Sequence, residues 1–76
     1  MKQQIIEILR ELRPEFDFNQ DLDFIQTGML DSFDIITLVN TLDEKFGISI
    51  DGIDILPENF SSVERIENLL MKNGIG

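Results

Sequence analysis

Apolar residues return along this chain at helical spacing in three places. Ile35, Val39, Leu42 and Phe46 recur at intervals of four, three and four, while Asp34, Thr37, Thr41 and Glu44 fall on the other side. That spacing predicts a long amphipathic helix that starts at Asp31-Ser32 and stops at Gly47, the residue type favoured just past a helix end. Upstream, Lys2 to Arg13 reads as a first helix, with Ile5, Leu9 and Leu12 on one face, Ile6 and Ile8 broadening it, and Glu7 and Glu11 facing water. Pro14 ends it, because proline disfavours the helical conformation of the residue before it. Downstream, Val63, Ile66 and Leu70, with Leu69 beside them, predict a last helix. Ser61-Ser62-Val63-Glu64 opens it as a capping-box pattern and Asn73-Gly74 closes it.

The connections are also patterned. Glu15 to Leu30 carries Phe16, Phe18, Leu22, Phe24 and Ile25, too apolar for a disordered linker, so an ordered loop pinned to the core is expected. Gly47 to Asp51 alternates like a short extended piece with Ile48 and Ile50 inward, Asp51-Gly52 marks a turn, and Pro57-Glu58-Asn59-Phe60 reads as a single helical turn with proline at its first position. The fold class that follows is all-α: a small four-helix bundle of three longer helices and one short one.

Length and composition then narrow the chemistry. At 76 residues the chain is expected to form one domain, 1–76, near the lower size limit for a self-supporting core. Cys and His are both absent, which removes thiolate metal sites and the Ser-His and Cys-His hydrolase arrangements; catalysis by this chain alone is not expected. No apolar run reaches the length of a membrane span and no secretory or transit pattern begins the chain, so a cytoplasmic protein is expected; a monomer is expected as well. The net charge of −9 argues against nucleic acid and anionic membrane as partners. Twelve of the fifteen acids, but only Lys45 of the six bases, lie between Glu15 and Glu64. That asymmetry points to a basic partner, or serves only to keep a small domain in solution.

The stretch Gly28-Met29-Leu30-Asp31-Ser32-Phe33 ends a loop and begins the long helix. Asp31 or Ser32 can cap that helix through a side-chain oxygen, and the unpaired amides and dipole of its first turn favour an anion, so a phosphate esterified to Ser32 would sit where negative charge is best tolerated. Equally, Ser32 can be a cap and nothing more. Asp17, Asn19, Asp21 and Asp23 imitate the early spacing of a calcium loop, but Leu22 stands where that loop needs Gly and Gly28 where it needs a bidentate Glu, so no metal site is expected.

Taken together, Gly28 to Asp34, the helix through Phe46, Gly47-Ile48-Ser49-Ile50 and Pro57 to Val63 resemble the acyl carrier protein family over most of the chain, in both its fatty-acid and its D-alanine-carrier members. The family's motif, Asp-Ser followed by an apolar residue and often an acid, is matched by Asp31, Ser32, Phe33 and Asp34. The resemblance implies a carrier rather than an enzyme, with 4′-phosphopantetheine attached at Ser32 by a phosphopantetheinyl transferase that takes it from coenzyme A with magnesium. It implies an acyl or aminoacyl cargo, for fatty-acid or specialised lipid or peptide biosynthesis, held as a thioester. It further implies loading and transfer enzymes whose basic patches meet Asp31, Asp34, Asp43 and Glu44, with Phe33 and Ile36 adding apolar contacts. Thr37 and Asn40 depart from the glutamate and apolar residue that fatty-acid members usually carry at those positions. The alternative is an unmodified acidic helical module that binds a basic protein through the same fold.

Overall fold

A computed structural model describes residues 1–74, and its helices begin where the side chains can cap them. The first, α1, spans Lys2–Leu12 and buries Ile5, Ile8 and Leu9. It stops one residue short of the expected end. Arg13, which precedes Pro14, leaves the helical region (φ −136, ψ 79), and its N–H still donates to the Leu9 carbonyl at 2.9 Å.

The connection from Arg13 to Asp31 is ordered, as its apolar content predicts. Phe18, Phe24, Met29 and Leu30 are buried, and Phe16 and Ile25 pack partly buried against them. The Phe18 and Phe24 rings meet edge to face at 5.0 Å, and Phe16 adds a second such contact to Phe18 at 6.3 Å. Leu22 is a correction: it is exposed, on the rim of a groove that Phe18 and Phe24 also line. Asp17 and Asp23 serve the backbone here. Asp17 accepts from the Asn19 N–H, and Asp23 accepts from the N–H groups of Ile25 and Gln26. Among the described residues no group of three or more acidic side chains is placed to hold a metal ion.

Helix α2 spans Ser32–Phe46 and ends at Gly47 in the left-handed conformation (φ 64), where glycine carries no Cβ penalty. Its buried stripe is Ile35, Leu38, Val39 and Leu42, with Phe46 at the margin. Asp34 belongs to that stripe as well, at 8 % exposure, which corrects the expectation that it faces water. It lies four residues before Leu38 and eight before Leu42, on one line of the helix.

After Gly47 the chain runs extended, with Ile50 buried and Ile48 half-buried, and then makes two 3₁₀ turns. The turn expected at Asp51-Gly52 is a 3₁₀ turn over Gly52–Asp54, capped by the Asp51 side chain on the Ile53 N–H. The short helical turn Pro57–Phe60 forms as expected, with Pro57 leading and Phe60 fully buried. Helix α3 spans Val63–Lys72, and its cap is Ser62, whose hydroxyl accepts from the Arg65 N–H at 3.1 Å. The pattern read as Ser61 with Glu64 is therefore displaced by one residue. Ser61 is held back by its hydroxyl's hydrogen bond to the Glu58 carbonyl, which finishes the preceding turn.

The three α-helices and two short turns make an all-helical bundle, with no strand among the described residues. Helix α1 packs on α2 and α3, and the Pro57–Phe60 turn closes the end between α2 and α3. Among the described residues no helix is long and apolar enough to cross a membrane.

Candidate functional site

The start of α2 is built from two carboxylates. Asp31, extended at φ −113, ψ −174, is the N-cap, and its Oδ1 accepts from the Asp34 N–H at 2.9 Å. In return Asp34 Oδ2 accepts from the Asp31 N–H at 3.0 Å, which completes a capping box with aspartate in both positions. This arrangement separates two readings that the sequence left open: Asp31 is the cap, and Ser32 is the first helical residue, exposed and outside the capping bonds.

Two like charges three residues apart repel, and a third group offsets them. Arg13, held at the end of α1, donates through Nε to Asp34 Oδ2 at 2.9 Å and places Nη2 3.4 Å from Asp31 Oδ2. Its Nη1 reaches Glu15 Oε2 at 3.1 Å. Burial pushes the Asp34 carboxyl up, but the Arg13 hydrogen bond, the Asp31 amide and the charge of the guanidinium together hold it below the usual carboxylate range. Arg13 is correspondingly raised, by its hydrogen bonds to Asp34 and Glu15. The Arg13 role was not read from the sequence. Its only signal there is position: it is the last base before a stretch of acids that includes Lys45 alone among the bases, and Pro14 bends the chain directly after it.

The other sequence-predicted residues divide into two groups. Asp31, Phe33, Ile36 and Glu44 are exposed, Phe33 at 81 % and Ile36 at 59 %, and share the outer side of α2 with Ser32. Asp43 is half-buried, and its Oδ1 accepts from the Ile50 N–H at 2.9 Å, so it secures the chain after Gly47. Asp34 leaves the docking set altogether, because its carboxylate is buried and already bonded to Arg13 and Asp31.

Ser32 suits a phosphodiester on three counts. Its hydroxyl lies on an open surface, and the N–H groups of Ser32 and Phe33 have no acceptor among the described residues. The nearby Asp31 and Asp34 charges are partly neutralised by the guanidinium. Two grooves lie elsewhere, one of about 270 Å³ beside Phe18 and Val63 and one of about 230 Å³ between Leu12 and Leu38. Ser32 lines neither groove and stands on an open surface.

A family model described as phosphopantetheine attachment site matches residues 2–70. Neither a curated protein nor a solved structure gives a significant match. The family match covers α1, α2, both connections and α3 as far as Leu70, and a carrier domain of this family interacts with a phosphopantetheinyl transferase and with partner enzymes. The chain therefore belongs to the phosphopantetheine attachment site family, as an acyl-carrier-type protein that bears covalent 4′-phosphopantetheine and is not itself an enzyme.

Proposed function

We propose that this protein, as a single domain over residues 1–76, carries an acyl or aminoacyl group on a 4′-phosphopantetheine arm attached to Ser32 and delivers it to partner enzymes. The observation that supports this most directly is that capping is performed by Asp31 and Asp34, which leaves the exposed Ser32 hydroxyl uncommitted at the first turn of α2. In the attachment step Ser32 Oγ forms the new bond to phosphorus while the pyrophosphate bond of coenzyme A breaks. The adenosine bisphosphate half leaves with the electron pair, and the hydroxyl proton passes to the transferase or to solvent. With neither His nor Cys, this chain supplies the nucleophile and not the base. Once bound, the arm supplies the thiol that the sequence lacks, and that thiol holds the cargo as a thioester.

The chain's own residues receive the partners. Asp31 and Glu44, with Asp43 at the margin, give the outer side of α2 a negative field, and Phe33 and Ile36 supply the apolar contact within it. Exposed acids of this kind raise the encounter rate with a basic surface and select among partners, with an effect that weakens as salt rises. A cytoplasmic location, where coenzyme A and its transferases work, belongs to the same reading.

The test is the intact mass after incubation with coenzyme A, magnesium and a broad-specificity phosphopantetheinyl transferase. The wild type is expected to gain one phosphopantetheine and Ser32→Ala none. A folded wild type that several transferases leave unchanged would favour the unmodified acidic module instead.

A further inference from the structure

We propose that Arg13 is a positioning residue for the attachment step: from the end of α1 it holds the Asp31–Asp34 capping box closed and so fixes the Ser32 hydroxyl for the incoming phosphoryl group. The inference rests on Ser32 being the attachment point.

The capping box here is made of two like charges, which by themselves separate it. A Ser or Thr cap with a Glu three residues on has one charge; this one has two, and Asp34 is at the same time 8 % exposed. Asp34 Oδ2 is the node of the arrangement. It accepts the Asp31 N–H at 3.0 Å and Arg13 Nε at 2.9 Å, while Nη2 lies 2.9 Å from the same oxygen and 3.4 Å from Asp31 Oδ2. One planar guanidinium thus touches both carboxylates of the box, which a lysine ammonium, a single point charge, does not reproduce. Ser32 lies between the two cross-linked residues, so the closed box adds a second constraint on its backbone to the Ile35 N–H bond to the Asp31 carbonyl at 3.0 Å. Without Arg13, Asp34 is a desolvated carboxylate beside another carboxylate. It then turns outward to water, which opens the box and loosens the first turn.

Positioning and docking separate in the kinetics. Removing Arg13 leaves Asp31, Asp34 and Glu15 uncompensated, which makes this end more negative and does not weaken attraction to a basic transferase. The loss falls on the chemical step, because misplacing a reacting group by about 1 Å can cost on the order of a hundredfold.

The experiment measures initial rates of phosphopantetheine transfer, read by intact mass, for wild type, Arg13→Gln, Arg13→Lys and the charge control Arg10→Gln, well below each melting temperature. Amide exchange at Asp31 and Asp34, whose N–H groups close the box, is followed by NMR in the same apo proteins. Arg13→Gln is expected to lower kcat by about ten- to a hundredfold without raising KM and to speed exchange at both amides. Arg13→Lys should fall between, and Arg10→Gln should match wild type. If Arg13→Gln does not fold, Arg13→Lys decides, and wild-type kcat with wild-type exchange in that variant overturns the inference. A folded Arg13→Gln modified at the wild-type kcat, or one whose entire loss is in KM, also overturns it. Failure of the wild type itself to gain mass removes the attachment reading along with this one, whereas equal modification of wild type and variant removes this one alone.

Discussion

Two long irregular connections shape this molecule, and different forces hold them. The first, from Arg13 to Asp31, is anchored by apolar side chains: Phe18, Phe24, Met29 and Leu30 are all buried, and the aromatic rings lean on one another edge to face. The second, from Gly47 to Ser62, buries only Ile50 and Phe60 among its apolar residues and leaves Ile53 77 % and Leu56 45 % exposed. Polar side chains tie it down: Asp43 accepts the Ile50 N–H, Asn73 accepts the Asp51 N–H, Lys72 pairs with Asp54 at 2.7 Å, and the Asn59 amide donates to the Asp54 carbonyl. Apolar burial does not depend on pH, whereas ion pairs do. The connection that delivers Ser32 to its place is therefore the sturdier of the two up to its last residues, where the Arg13 network takes over.

The sharpest way to break that comparison is Phe24→Ala. Phe24 is 1 % exposed, meets Phe18 edge to face, donates its N–H to the Ser61 carbonyl at 2.8 Å and accepts at its carbonyl from the Leu30 N–H at 3.0 Å. Truncating a buried phenylalanine costs about 3–5 kcal/mol, a large share of what a domain this small has. Urea denaturation should show it, while Ile53→Ser in the other connection should leave the midpoint nearly unchanged. A loss below about 1 kcal/mol for Phe24→Ala would mean that the first connection is not held by its aromatics.

The next effect in size belongs to Asp34. Asp34→Ala removes the charged partner of Arg13 and one half of the capping box, for about 2 kcal/mol, or a drop of roughly 8–16 °C in melting temperature. The pH dependence has a definite sign. Asp34 is lowered in the folded protein, so its contribution is fully present above the ordinary carboxylate pKa of about 3.9 and is lost as the pH falls through the depressed value. Acid titration by NMR should find the Asp34 carboxyl still ionised where a free aspartate is half protonated, and Arg13→Gln should erase the difference.

Much of this arrangement was legible in the sequence. The limits of α2 followed from an Asp-Ser start and a Gly stop, and the ordered first connection followed from five apolar residues in a stretch with no helical period, because both signals are local. What misled was non-local or one residue wide. Asp34 reads as a surface acid until Arg13, twenty-one residues earlier, is brought against it by the turn at Pro14. The line of Asp34, Leu38 and Leu42 in steps of four already placed it on the buried side. Ser61 and Ser62 both suit a cap, and the choice fell to the turn before them, which uses the Ser61 hydroxyl. At the site, the position of Ser32 was legible from its motif, while its exclusion from the capping bonds was not, since Asp31 is an equally good cap.

The smallest effect tests the second connection alone. Lys72 stands 66 % exposed at the end of α3 and reaches the mostly buried Asp54 with a single ammonium, where Arg13 at 30 % exposure bridges three carboxylates. Its hydrogen bond to Asp54 and the charge of that carboxylate raise Lys72 above the usual lysine value. A raised cation contributes fully below the ordinary pKa of about 10.4 and loses that contribution as the pH rises through the raised value. Arginine stays charged throughout that range. Raising the pH past the lysine region should therefore loosen Gly52–Asp54 and leave the start of α2 intact, and Lys72→Met should do the same at neutral pH. Because Lys72 is largely exposed, the global midpoint should barely move, so the readout is local: NMR relaxation and shift changes confined to residues 51–54. Equal loosening of residues 31–35 in Lys72→Met would show that the two ends are coupled through the bundle and that the contrast between the two connections does not hold.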